Sequence, residues 1–271
     1  MAIAETKGVF LRGRMKKDGV TFYTRAGKVI MRSSITVQPH RRTRKQFVAR
    51  QRLAHNVSLW LSLKDAGTPI FEGGKNRYGR FNTLMRKMPV VFLTKGLQQA
   101  GAGLLIPGMP VSDGLLPDIQ YELGMVGNSP ALLTSLPFGA YDTDVTNGLW
   151  GPKKYLKKGD QLWLYRFTQK VYGDVFPVPL PKVSVSLEIL DPYDEKNNLL
   201  FKGVEFQRVN GCLALVGDVF GDETKGWALV HVNDGHASSQ QVVTRSRLYE
   251  EYTTEEAFAL AAESYGGLTG E

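Results

Sequence analysis

Four histidines, one cysteine and the carboxylates near them are where this 271-residue chain could do covalent or metal chemistry. Cys212 could act as a nucleophile with His231 or His236 as base, the imidazole oriented by Asp234. Against this, Cys212 opens the apolar run Cys212-Leu213-Ala214-Leu215-Val216, where a thiol is usually a small core hydrophobe. His231, His236 and Asp234 could hold a metal ion. The commoner outcome for such spacing is a strand residue and turn residues that never converge. Asp142 and Asp144, in Tyr141-Asp142-Thr143-Asp144-Val145-Thr146-Asn147-Gly148, resemble the opening of a calcium loop. Position five is Thr146 and position twelve is Lys153, which excludes an EF-hand. The two carboxylates stay as weak calcium candidates. Glu72-Gly73-Gly74-Lys75-Asn76 lacks the first Gly and the final Ser/Thr of a P-loop. Asp218 and Asp222 flank a turn and are read as serving it. A single Cys excludes an internal disulfide and any zinc site built mainly on thiolates. No paired-carboxylate, Ser-His-Asp or dinucleotide motif stands out. The reading is therefore of a protein that is not an enzyme, with no catalytic residues and no cofactor.

The strongest signal is electrostatic. Residues 1–95 hold 21 Lys+Arg and four acidic residues, a net of +17, whereas residues 96–271 carry a net of −9. The whole-chain figure of +8 hides this division. Such asymmetry points to a leading third that meets something acidic, or to a basic surface that only aids solubility.

The elements that must position these cations can be read in order. Gly8–Arg14, Gly19–Tyr23 and Val29–Arg32 read as a small antiparallel meander, turned at Asp18-Gly19 and at Arg25-Ala26-Gly27-Lys28. Arg12, Arg14, Lys16, Lys17, Arg25, Lys28 and Arg32 lie along it. A helix from about 44 to 65 follows, with Thr43-Arg44-Lys45-Gln46 as capping box and Gly67 as stop. Leu53, Val57, Trp60 and Leu61 form its apolar stripe, read as core. Arg41, Arg42, Arg44 and Lys45 crowd the helix N-terminus, the end where the macrodipole disfavours cations. An external anion bound there would explain them, and so would a solvated cluster that tolerates the penalty. A shorter helix is expected over Arg77–Met88, ended by Pro89.

Beyond residue 95 strand-sized runs recur between turn residues. They are Val90–Thr94, Gln161–Thr168, Val183–Leu190, Val204–Val209, Cys212–Val219, Trp227–Val232 and Gln240–Thr244. Gln161–Phe167 is almost continuously apolar, as for a strand covered on both faces or an amphipathic aromatic one. Val183–Ile189 alternates cleanly. Seven or so such strands suggest an immunoglobulin- or fibronectin-like β-sandwich. Residues 97–150 are the least readable. Thr253-Thr254-Glu255-Glu256 caps a short C-terminal helix that Gly266 stops. The fold class is α+β, mostly β, with a basic meander-plus-helix module at 1–95 and a sandwich region with a C-terminal helix at 96–271.

Phe10, Phe22 and Tyr23 interleave with basic residues in the meander, a combination suited to nucleic acid. No zinc-finger, helix-turn-helix or RNA-recognition signature appears, so such binding would be electrostatic and salt-dependent. The N-terminus Met1-Ala2-Ile3-Ala4-Glu5-Thr6-Lys7 does not read as a secretory signal, and no run is long enough to span a bilayer. The expected location is the cytoplasm, or a particle that carries the protein.

Residues 8–52, with Gly27-Lys28-Val29, Arg32, Thr43, Gln46, Arg50 and Arg52, resemble the opening of a family of uncharacterised Bacteroidetes proteins. Val230-His231-Val232 and Ser238-Ser239-Gln240 are similar to that family's C-terminal strand. His40-Arg41-Arg42 departs from the Asn-Pro-Arg-like segment expected there. The resemblance covers about a third of the chain. It implies a β-rich C-terminal half, no assigned activity and no site residues.

The functional expectation is a non-enzymatic binding or assembly protein. Its basic module would dock on an acidic partner, on the acidic half of another copy, or on a component of a phage-like particle. A sequence-tolerant DNA- or RNA-binding protein is the alternative, and a carbohydrate- or calcium-binding sandwich module a third.

Overall fold

The computed structural model describes residues 2–4, 15–17, 20–25, 28–33, 43–67, 70–72, 87–137, 159–173, 180–190 and 204–269. The chain divides into two compact units, Met1–Arg42 and Thr43–Thr269. The division falls between Arg42 and Thr43, not near residue 95, because the long helix belongs with the sheets that follow it.

The first unit is an antiparallel sheet of β1 (Ala2–Ala4), β2 (Met15–Lys17), β3 (Val20–Arg25) and β4 (Lys28–Ser33), in the order β1-β4-β3-β2. The expected strands Gly19–Tyr23 and Val29–Arg32 are present as β3 and β4, whereas β2 takes Met15–Lys17, of which Lys16 and Lys17 are expected in the link to β3. The strand β1 was not anticipated, and Gly8–Arg14 lies outside the described residues. Paired residues in an antiparallel ladder share a face, and the faces alternate along each strand. Met15, Phe22, Met31 and Ala2 form one row, and the rows Lys17–Val20–Ser33 and Thr24–Val29–Ala4 take positions on that same face. The opposite face takes the row Lys16–Thr21–Arg32, the row Tyr23–Ile30–Ile3 and the pair Arg25–Lys28.

In the second unit α1 (Arg44–Ala66) is capped as expected: Thr43 Oγ1 accepts from Gln46 N–H at 3.4 Å, and Gly67 N–H closes on Leu63 O at 3.0 Å. A Cβ at Gly67 would stand 2.5 Å from Leu187 Cδ2, so that methyl would have to shift. The buried face is not the expected one. Leu53, Val57 and Leu61 are 46%, 40% and 48% exposed, and only Trp60 of that stripe is buried. The helix buries Phe47, Gln51, His55, Leu59 and Leu63, at strict four-residue spacing, with Asn56 beside them.

Half of that face is polar because of what it meets. Residues 88–94 and 102–106 lie in no helix and no ladder, so their amide groups need other partners. Gln51 Oε1 accepts from Leu93 N–H at 3.0 Å, and His55 Nε2 accepts from Leu104 N–H at 3.1 Å. The expected strand Val90–Thr94 is thus no ladder strand but a strap that buries Val91 and Leu93. A short helix, α2 (Lys95–Gln99), follows it. Of the expected helix Arg77–Met88, all but Lys87 and Met88 lies outside the described residues.

The sheets form two further layers. One contains β8 (Gln161–Tyr172), β9 (Leu180–Leu190), β12 (Lys225–Asn233) and β13 (His236–Ala237) in the order β13-β12-β8-β9, with β15 (Val243–Thr244) also on β12. The other contains β6 (Tyr121–Val126), β7 (Ser129–Pro137), β10 (Glu205–Val209) and β11 (Cys212–Val216) in the order β10-β11-β7-β6. A two-stranded piece joins β5 (Pro110–Ser112) to β14 (Gln240–Gln241). The hairpin β6–β7 occupies the stretch that the sequence left unread.

Alternation along β12 separates two cores. Trp227 and Leu229 join Leu162, Leu164, Leu132, Leu213 and Leu215 between the sheets. Ala228, Val230 and Val232 join Tyr165, Phe167 and the Leu59–Trp60–Leu63 side of α1. The central sheet is therefore covered on both faces, which is why β8 reads as continuously apolar. Asn210-Gly211 and Asp234-Gly235 take positive φ at both positions, the geometry of two-residue hairpin turns. α3 (Glu255–Ser264) is capped by Thr254, one residue later than expected, and its Phe258 packs edge-on against Phe47 and Phe92.

Tyr165 is 1% exposed, and among the described residues its hydroxyl has no hydrogen-bond partner. Burial pushes the phenol well above its usual range. Tyr165→Phe removes only that unsatisfied group, so it should stabilise the fold by about 1 kcal/mol. A lowered melting temperature in a thermal scan would mean that the hydroxyl is in use.

Candidate functional site

Of the cations singled out in the sequence, Lys16, Arg25, Lys28 and Arg32 fall on one face of the N-terminal sheet. Lys17, paired with Val20, falls on the other. Arg12, Arg14, Arg41 and Arg42 lie outside the described residues, as do Asp142 and Asp144. At the start of α1 Lys45 is exposed, but Arg44 has a partner in its own chain. Its Nη2 donates to Glu255 Oε1 at 2.5 Å, and its guanidinium stands 4.3 Å from the centre of the Phe258 ring. The acidic first turn of α3 thus supplies the anion that the basic first turn of α1 called for, and Arg44 drops out of an external anion site.

The candidate Cys212 chemistry is not assembled. Cys212 opens β11 and pairs with Val209 and Pro137, while His231 sits in β12 of the other sheet, opposite Leu162. His231 Nε2 lies 3.0 Å from Asp160 Oδ2, with both side chains nearly fully buried, and Asn233 Nδ2 donates to Asp160 Oδ1. His236 turns to a different carboxylate, its Nδ1 lying 3.0 Å from Glu72 Oε2. The two histidines therefore serve separate carboxylates, and Asp234 forms the turn between them. Among the described residues no cluster of three or more His, Cys, Asp or Glu could hold a metal.

The partners that the sequence did not flag are Asp160, Glu72, Asp113 and Ser239. Glu72 Oε1 accepts from Ala237 N–H at 2.8 Å and Leu115 N–H at 3.3 Å. Burial works to raise the Glu72 carboxyl, but the bonds from Ala237, His236 and Leu115 outweigh it and hold it below the usual range. The same contact raises the His236 imidazole. Gly114 is required beside this carboxylate, because a Cβ there would stand 2.0 Å from Ala237 O. Lys87 Nζ donates to Asp113 Oδ1 at 2.9 Å, and Ser239 Oγ lies 3.2 Å from the same oxygen. Asp222 serves its turn as expected, accepting from Lys225 and Thr224, which hold its carboxyl down to about 2.

Beside these loops runs a groove of about 660 Å³, lined in part by Lys87, Asp118, Tyr121, Ser239, Gln241 and Arg245. Its rim groups hold the protein's own chain. Tyr121 Oη donates to Gln241 O at 2.6 Å, Asp118 Oδ1 accepts from Ser239 N–H at 2.8 Å, and Arg245 Nη2 donates to Gly124 O at 3.3 Å. This arrangement ties loops together. It brings no imidazole to the Ser239 hydroxyl, whose neighbours are a carboxylate and the Gly114 backbone.

Compared with family models, curated proteins and solved structures, the chain matches none. Among the described residues no helix is long and apolar enough to cross a membrane.

Proposed function

We propose that the chain is a non-enzymatic binding or assembly protein whose N-terminal sheet docks on an anionic surface. The observation that supports this is the strand register, which brings the positions of Lys16, Arg25, Lys28 and Arg32 to one face of the sheet. Lys and Arg are almost never buried unpaired, so a face of this kind meets water or an anion. The anion is an acidic protein surface, a nucleic-acid backbone, or the acidic remainder of another copy, which carries a net of −9. A component of a larger, phage-like particle presents the same chemistry. The immunoglobulin- or fibronectin-like reading of the second unit belongs to this proposal too, supported by the apolar side chains of two sheets meeting in one cluster. The family resemblance of residues 8–52 adds no activity to it.

The test uses the full chain and polyglutamate as a model acidic surface, read by light scattering across a salt series. The wild type should form complexes that dissolve at high salt. Lys16/Arg25/Lys28/Arg32→Gln should lose most of that association, whereas Lys17→Gln should retain it. Equal behaviour of the two variants removes the sheet face from the function.

A further inference from the structure

We propose that a second copy of this chain seats its helix α3 on the exposed face of α1, a contact that does not depend on the N-terminal sheet. At 3.6 residues per turn Arg50, Leu53, Val57, Leu61 and Lys64 fall within an arc of about 80°. All five are exposed. Three apolar side chains at four-residue spacing make one continuous strip with a cation at each end. Single exposed apolar residues are ordinary, but an apolar centre with a charged rim is how a binding surface is built. On α3 Glu256, Leu260 and Glu263 share the side opposite the buried Phe258, Ala261 and Ala262. Leu260 is 62% exposed. This face is the converse of the first, an apolar residue with a carboxylate at each end. From Leu248 to Ser264 the chain holds five glutamates and neither Lys nor Arg. Among the described residues Arg50, Lys64, Glu256 and Glu263 have no ion-pair partner.

Each face fits the other and neither fits itself. Two α1 faces centred on Val57 would set Arg50 against Lys64 if antiparallel, and each cation against its own twin if parallel. Two α3 faces would oppose glutamates in the same way, and like charges brought together are repulsive. Only the cross-pairing joins opposite signs around an apolar centre. At 1.5 Å per residue Arg50 and Lys64 stand about 21 Å apart along α1, and Glu256 and Glu263 about 10 Å apart along α3. With Leu260 over Val57, each carboxylate lies about 5 Å along the axis from a cation, in either helix direction. Extended Arg, Lys and Glu side chains close that gap. The two patches differ, so the contact is heterologous. Each copy offers one patch of each kind, and copies add head to tail until a ring closes or a filament grows. The strip is small, so each contact is weak and association depends on concentration.

The experiment is sedimentation velocity of the full chain over a concentration series that reaches the millimolar range. The wild type should grow in mass as concentration rises. Leu53/Leu61→Gln and Leu260→Gln should each weaken association about tenfold. These side chains are exposed, so thermal melting of both variants should match the wild type. Mixing the two variants leaves one intact contact, the α1 face of one chain against α3 of the other, and should give a heterodimer that stops at two chains. Arg50/Lys64→Glu should abolish association, and adding Glu256/Glu263→Lys to the same chain should restore it. A wild type that stays monomeric overturns the inference, and so does a mixture that associates no better than either variant alone. Lys16/Arg25/Lys28/Arg32→Gln should associate as the wild type does. If that variant alone loses association, the second copy sits on the sheet face, and the α1–α3 contact falls while the docking sheet stands. If Leu53/Leu61→Gln leaves association intact but abolishes binding to phosphatidylglycerol vesicles, the α1 face belongs to a lipid surface and the inference is wrong.

Discussion

Acidifying the protein from pH 7 to pH 4 should cost it about 3 kcal/mol of stability through His55 alone. The residue is fully buried, and its Nε2 accepts from Leu104 N–H, so the folded state holds the ring neutral. Burial lowers its pKa from 6.5 to about 4, against the smaller opposing effects of Leu104 and Asn56. The folded value lies below the unfolded one, so the unfolded chain takes up the proton first. Above about pH 6.5 neither state binds it and the contribution is complete. Between 6.5 and 4 it is lost at about 1.4 kcal/mol per pH unit. His236 runs the other way: Glu72 raises its pKa, so its contribution is present below the unfolded value and fades as pH rises through the folded one. Its ring is well exposed and the contribution small. Urea unfolding at pH 7.5, 5.5 and 4.5 checks the assignment. His55→Gln should be less stable than wild type at pH 7.5 and show a much flatter pH profile. The same steep profile in the variant would place the acid sensitivity elsewhere.

Gln169→Ala should destabilise the protein by about 3–4 kcal/mol, an unusually large loss for a polar residue. Gln169 is 5% exposed and sits toward the end of β8, bonded to the segment 103–105. Its Oε1 accepts from Leu105 N–H at 2.7 Å, and its Nε2 donates to Lys182 O at 3.1 Å and Gly103 O at 3.3 Å. Truncation leaves a buried amide N–H without its acceptor, which costs about 1–3 kcal/mol, and opens a cavity besides. Gln169→Glu keeps the acceptor oxygens but loses the donor and adds a charge, so its deficit should grow as pH rises. A loss below about 1 kcal/mol for Gln169→Ala in denaturant titration would show that the segment 102–106 is held by its apolar side chains alone.

The position of α1 was legible and its orientation was not. Thr43, Gln46 and Gly67 mark the ends by local chemistry, which a sequence displays directly. The buried face is set by Gln51 and His55, whose partners are amides more than 40 residues away. Periodicity therefore selected Leu53, Val57 and Leu61, the apolar residues of the exposed side. Val90–Thr94 failed for a related reason: its residues favour extension, but whether an extended segment finds a ladder depends on what lies beside it. The two-sided burial of β8 was visible because it imprints a continuous apolar run. The β6–β7 hairpin was hidden by Gly124 and Pro130, which read as turn signals although both lie inside strands. In the meander, Thr21-Tyr23-Arg25 and Lys28-Ile30-Arg32 alternate visibly, but only the pairing of β3 with β4 brings the two sets to one face. No spacing rule joins Glu72 to His236 or Asp160 to His231, because such pairs exist only once the chain has folded.

Gln51, His55 and Gln169 have in common that each grasps a main-chain N–H, of Leu93, Leu104 and Leu105 respectively. Such a grip is indifferent to the side chain borne by the residue it holds. Nineteen of the twenty amino acids offer that N–H, and proline alone cannot. As lineages diverge, these three leucines are free to drift among apolar residues of similar volume, while a codon change to proline is barred at each. The clamping residues have no such latitude, so variation should collect in what is held and spare what holds it.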